Sequence, residues 1–244
     1  MDYNGSRLGA KFGDIDAVML SHGHWDHAGG LVGAFDLISE QKQNNELTPC
    51  YLHPDMFRQR GIENQKGEIL PIEKIPTPEK LKKHGAMPIL TRDSCSILDD
   101  MFYISSEIER VTSYEKGFPN HKRKSIDESG WEPDPLIMDE RFMAVNVKDK
   151  GLVIFSACSH AGIVNVMKSA SNNLDVNIHA IVGGFHLSGA ANEIIIDATV
   201  AGIAEFEPDV IVPGHCTGWR AVQALVTEFG SKVVPMCVGM GLNM

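Results

Sequence analysis

The chain has 244 residues, 43% of them apolar, and a formal net charge of −10. That length supplies one large domain or two small ones with a sizeable core. No run approaches the ~20 apolar residues of a membrane span, the N-terminus lacks the apolar stretch of a secretory signal, and the acidic balance disfavours a nucleic-acid binder. A cytoplasmic protein is expected, with neither a membrane nor a nucleic acid as partner. The five cysteines, Cys50, Cys95, Cys158, Cys216 and Cys237, are scattered and odd in number. This spacing argues against a disulfide framework and a thiolate zinc knuckle.

In chain order, "IDAVMLS" (15–21) reads as a short buried strand running into "HGHWDH". "GGLVGAFDLISEQKQ" (29–43) reads as a helix with Leu31, Phe35 and Leu37 or Ile38 on its apolar side. "TPCYLHPD" is a strand ended by Pro54. Residues 61–135 are polar and irregular, and read as long loops, either a cover over a site or a solvated linker. The rest alternates regularly. "GLVIFSACSH", "VNIHAIVGGFH", "DVIVPGH" and "KVVPMCVG" read as strands, and "AGIVNVMKSAS", "NEIIIDATVAGIAEF" and "GWRAVQALVTEF" as helices. This alternation predicts a single α/β domain over 1–244.

Three of these strands end in a histidine, His160, His186 and His215, and a helix follows each. The first motif repeats that layout with His22, His24, Asp26 and His27. Sites in α/β folds collect at the carboxyl ends of strands. In extended chain, residues two apart project to one side, so His22 and His24 can grip one ion while Asp26 and His27 face a second position. Imidazole and carboxylate donors suit zinc, and also manganese or iron.

"SHGHWDH" (21–27) resembles the H-x-H-x-D-H signature of the metallo-β-lactamase fold, and "CSH" (158–160) and "PGH" (213–215) resemble its later ligand motifs. "DPLIMDE", "GLVIFSACSHAGIVN", "IVGGFHL" and "GHCTGWRA" are similar to its dihydropteroate-synthase-like branch. That branch is named for an archaeal enzyme joining a pterin to a ribofuranosylaminobenzene phosphate. The resemblance implies that His22, His24 and His160 hold one divalent ion, and that Asp26, His27 and His215 hold a second. Many members bridge the two ions with an aspartate. Gly184 stands near that position here, with His186 as a substitute ligand or a substrate contact. Gly23 replaces the glutamate usual in the flavin-linked di-iron relatives, which favours a hydrolytic type of centre.

Two such ions activate water, so hydrolysis of an ester, thioester, lactone or phosphoester is the first expectation, with Asp26 positioning the nucleophile. The alternatives are a transferase condensing a pterin diphosphate with a ribofuranosylaminobenzene phosphate, and a shortened, non-catalytic metal-binding module. Only 21 residues precede His22. The expected fold is therefore an αββα sandwich without its N-terminal strands, with an exposed sheet edge that promotes a homo-oligomer.

Arg220 offers a planar fork of donors for a small anionic substrate, beside Thr217. Thr217 and Ser159 flank ligands and can orient them. Cys158 and Cys216 read as small buried residues more readily than as ligands. His53, His84, His121 and His179 are read as non-ligands, with His84 and His121 solvated in lysine-rich loops and His179 packed in a strand. Trp131 is either a cover for the site or a loop anchor.

Overall fold

The computed structural model describes residues 2–42 and 46–243. The chain groups into two compact units, Met1–Arg92 with Pro119–Pro135, and Asp93–Phe118 with Leu136–Met244. Helix α1 (Asp2–Arg7), strand β1 (Val18–Met19), the one-turn helix α2 (Trp25–Ala28) and helix α3 (Leu31–Gln41) open the first unit. Helix α3 buries Leu31, Ala34, Phe35 and Ile38, the three-and-four spacing of one helical face. Burying Phe35 completely contributes about 1.5–3 kcal/mol. Gln43, the last residue of the helix expected from sequence, lies outside the described residues.

Strand β2 (Thr48–Leu52) follows, then β3 (Arg60–Glu63), β4 (Ile69–Pro71), helix α4 (Pro78–Lys83) and β5 (Ala86–Leu90). Thr77 caps α4, its hydroxyl accepting the Lys80 N–H at 3.2 Å, with Pro78 at the first helical position. Strands β6 (Cys95–Ile97) and β7 (Phe102–Ile104) belong to the second unit, and β8 (His121–Lys124) and β9 (Trp131–Pro133) to the first. The segment 61–135 is thus not the run of loops its composition implies. Its strands are only three to five residues long, too short to show an alternation of apolar and polar residues.

The first unit holds a parallel sheet of order β1-β2-β5 and an antiparallel sheet of order β4-β3-β8-β9. Among the described residues, the motif strand β1 stands at the edge of its sheet. Phe12, Leu20, Phe35, Leu52, Met56 and Leu81 form this unit's core. Cys50 lies in it with its thiol pushed up to about 12 by burial, so it stays protonated and inert.

The second unit continues with β10 (Met143–Val147), β11 (Gly151–Ser156), α5 (Ile163–Leu174), β12 (Ile178–Gly184), α6 (Ala190–Glu193), α7 (Ile196–Ala204), β13 (Val210–Gly214) and α8 (Trp219–Phe229). Its sheet runs β13-β12-β11-β10-β7-β6, parallel across β11, β12 and β13 and antiparallel beyond. The helix expected over 192–206 divides into α6 and α7. The strand expected at 232–239 is absent, leaving one bridge between Ile211 and Val233, because Pro235 cannot donate to a ladder. No helix among the described residues is long and apolar enough to cross a membrane.

Candidate functional site

In the first unit, β1 delivers the motif. His22 is fully buried and His24 nearly so. His22 Nε2 lies 3.0 Å from His24 Nδ1, and His22 Nδ1 lies 3.0 Å from Ser21 Oγ. Gly23 has a packing reason beyond ligand geometry. A Cβ there would sit 2.3 Å from the Met56 carbonyl oxygen and 2.7 Å from Arg60 Nη1, so no side chain fits. The His27 ring lies 4.5 Å from that of His22, and its Nε2 is 3.4 Å from Asp26 Oδ2. His22, His24, Asp26 and His27 are therefore gathered within this unit, as the motif spacing predicts.

His121 corrects the expectation of a solvated loop histidine. It is fully buried at the start of β8, with Nε2 2.9 Å from His24 Nε2. Its Nδ1 lies 3.0 Å from the Asp134 carbonyl oxygen. His53 is buried and accepts the Asp55 N–H at 3.2 Å as a cap. His84 ends α4 paired with Asp36 at 2.7 Å. Trp131 lies in β9 under the Lys124 ammonium, 5.0 Å from the ring centre, and packs as an anchor within its own unit.

In the second unit, the carboxyl ends of the parallel strands converge. Cys158, His160 and His186 each offer one donor atom, all within 4.8 Å of one another, and so do Cys158, His215 and Cys216. The His160 and His186 rings are 4.2 Å apart, and Phe118 lies parallel to His160. Both ring nitrogens of His186 are buried, and the ring stands beside the Cys216 thiol. Ser159, His186 and His215 hold φ of +54°, +48° and +49°. Left-handed backbone at non-glycine residues is costly and clusters at functional sites.

Gly184 leaves no room for a side chain. A Cβ there would approach the Ala157 carbonyl oxygen to 2.6 Å and Cys216 Sγ to 2.8 Å. Cys216 Sγ lies 3.1 Å from Cys158 Sγ. The Cys158 hydrogen bond first, and then the His186 imidazole, lower the Cys216 thiol well below the ordinary thiol range against the opposing effect of burial. Cys158 is buried as expected and Cys216 half-buried, and both also stand among the atoms that could hold a metal ion.

Ser159 Oγ donates to the Gly184 carbonyl at 2.7 Å, tying the ends of β11 and β12. The Thr217 hydroxyl donates to the Gly214 carbonyl at 2.7 Å and accepts the Phe185 N–H at 3.1 Å. It is fully buried, so it braces the segments that carry His186 and His215. Arg220 is exposed and ion-paired with Glu193, its guanidinium 5.3 Å from the Trp219 ring centre.

Glu140 is a site residue that residue-by-residue reading missed, although it ends the quoted "DPLIMDE". Its carboxylate accepts the His160 N–H at 2.8 Å and the Ala161 N–H at 2.6 Å, fixing the backbone that presents His160. Burial pushes it up to about 7 against these hydrogen bonds. A paired acid ahead of a strand was the available signal.

A family model for the metallo-beta-lactamase superfamily matches residues 5–86. The chain is 32% identical over 217 residues to the 7,8-dihydropterin-6-methyl-4-(beta-D-ribofuranosyl)-aminobenzene-5'-phosphate synthase of Methanocaldococcus jannaschii, covering 88% of this chain and 70% of the relative. A second M. jannaschii protein, uncharacterized, is 26% identical over 86% of this chain and 72% of its own length. A crystal structure of a metal-dependent hydrolase of the beta-lactamase superfamily superposes with a TM-score of 0.78 at 23% identity, over 99% of this chain and 84% of that one. With its H-x-H-x-D-H motif just after β1 and its later histidines just beyond β11, β12 and β13, the chain belongs to the metallo-β-lactamase superfamily, in the branch of that dihydropterin synthase.

Proposed function

We propose that this chain is a metal-dependent enzyme that catalyses a synthase-type condensation on a phosphate-bearing substrate. His22, His24 and His160 would hold one divalent ion, and Asp26, His27 and His215 a second, with zinc the first candidate and manganese or iron compatible. The observation that carries the reaction type is the 32% identity to a synthase across 88% of the chain. The donor sets fit divalent ions: buried imidazoles with converging nitrogens in one unit, and imidazoles with thiols in the other.

A bound divalent ion there supplies a Lewis acid that neutralises phosphate charge and helps a phosphate-bearing group leave. The protein's own residues do the rest. Glu140 and Ser159 fix the backbone that presents His160, and Thr217 does the same for the turn carrying His215. Arg220 supplies a fork of donors for a substrate phosphate, exchanging its contact with Glu193.

Hydrolysis is the second reading. The solvent exposure of Asp26 favours it, because a carboxylate open to solvent can orient an attacking water. One experiment separates the readings. The metal-loaded protein is incubated with a dihydropterin diphosphate, with and without a ribofuranosylaminobenzene phosphate, and products are identified by mass spectrometry. A condensed product supports the synthase reading. Loss of diphosphate without a condensed product supports hydrolysis. No turnover of these or of generic phosphodiesters and lactones, with any of the three metals, contradicts both and leaves a non-catalytic metal-binding module.

A further inference from the structure

We propose that His121 is a positioning residue that sets the tautomer of His24, so that His24 presents a bare Nδ1 as its ligand atom. The relay starts at a backbone carbonyl. His121 Nδ1 lies 3.0 Å from the Asp134 carbonyl oxygen, which can only accept, so Nδ1 carries a proton. In a neutral imidazole the other nitrogen is then an acceptor. His121 Nε2 faces His24 Nε2 at 2.9 Å, so the proton in that contact belongs to His24 Nε2. Neutral His24 is thereby left with its lone pair on Nδ1, the atom 3.0 Å from His22 Nε2. A backbone carbonyl thus specifies, through two imidazoles, which nitrogen of the motif histidine keeps its lone pair.

The fold holds this relay rigidly. His121 opens β8 and pairs with Ile62 of β3, while Asp134 follows β9, the other arm of the β8–β9 pair. The Asp134 N–H donates to the His121 carbonyl at 2.9 Å, closing the ladder just beyond β9. The Asp134 carboxylate lies 3.3 Å from His121 Nδ1 and is flanked by Arg60 at 3.7 Å and Arg123 at 3.5 Å. His121 and Asp134 are both almost completely buried, so water does not compete for these contacts. Partners of this kind behind a ligand histidine fix its tautomer and raise its basicity, and their loss typically costs about 10–100-fold in metal affinity.

Only the affinity part of this inference rests on the proposed metal site; the tautomer part concerns the protein alone. Long-range 1H–15N NMR spectra of the metal-free full-length chain read the tautomer of each histidine ring. The wild type is expected to show His24 protonated on Nε2 and His121 on Nδ1. In His121→Phe, which keeps the volume and removes the acceptor, the His24 signals should shift toward a mixture of tautomers. His121→Gln, which restores an acceptor, should recover the Nε2 form. In chelator competition, zinc affinity should fall at least about tenfold in His121→Phe and return most of the way in His121→Gln. A wild-type His24 protonated on Nδ1, or a His24 tautomer that does not change in His121→Phe, overturns the inference. If the wild type binds no metal, the metal reading fails by itself, and the NMR result still decides the role of His121. Should His121→Phe not fold, the wild-type spectrum and His121→Gln carry the decision.

Discussion

The Glu115 carboxylate is seated on the backbone N–H of Val164 at 2.9 Å, in the first turn of helix α5. It also accepts the Asn165 N–H at 2.9 Å and the Thr112 hydroxyl at 2.9 Å. Gly162, with φ +90°, precedes the helix because a Cβ there would lie 2.1 Å from Glu115 Cδ. The acid takes up N–H groups that a helix start leaves unpaired, just beyond the turn that carries His160.

Glu115→Gln should destabilise the protein by about 1–3 kcal/mol, because one amide oxygen cannot replace a carboxylate that serves three donors. Burial raises the Glu115 carboxyl above its usual range. The folded state therefore binds the proton more tightly than the unfolded state. The stability this confers is full below the ordinary carboxylate value and is lost as pH rises through the raised one. The deficit of the Gln variant should be largest in acid and shrink with rising pH. Thermal unfolding of both proteins across that range checks it, and a deficit that grows with pH would reverse the assignment.

Gly183 occupies φ +139°, and a Cβ there would lie 1.7 Å from the Ser156 carbonyl oxygen. Gly183→Ala should cost about 3 kcal/mol or more, a fall of roughly 10 °C in Tm. Gly130→Ala, where a Cβ meets open space, serves as the control and should change stability by less than about 0.5 kcal/mol. Equal effects at the two positions would show that the β11–β12 approach is looser than described.

His186→Ala is expected to lower metal occupancy, because the His186 donor atom groups with those of Cys158 and His160. Elemental analysis of the variant decides between ligand and substrate contact. Normal metal content with a raised KM would assign His186 to substrate instead.

Arg220→Ala should leave stability within about 0.5 kcal/mol, since its ion pair with Glu193 is largely exposed on the arginine side. Losing a guanidinium from a substrate phosphate should raise KM about tenfold while kcat stays nearly constant. Steady-state kinetics with the substrate found by product analysis checks this, and an unchanged KM would remove Arg220 from the substrate site.

The strong periodic elements were legible in the sequence: α3, α5, α8 and the three parallel strands β11, β12 and β13 carry dense apolar faces. The motif histidines were legible because local spacing brings His22, His24 and His27 together. His121 was not, because its neighbours Lys122, Arg123 and Lys124 read as solvated, and long-range contacts with β3, Asp134 and His24 surround it. Glu140 and Glu115 were missed for a similar reason. A buried acid is recognised by the backbone N–H groups it accepts, and those lie 20 to 50 residues further along the chain. The short strands of 61–135 escaped because three to five residues give too little alternation to read.

Metal stoichiometry tests the central claim most directly. The wild-type chain is reconstituted with zinc, dialysed and analysed by inductively coupled plasma mass spectrometry beside His22→Ala and His160→Ala. The account expects about two ions per chain in the wild type and less than about half that in each variant, with turnover lost in parallel. A wild type that retains no metal, or the same metal content in both variants as in the wild type, would contradict it.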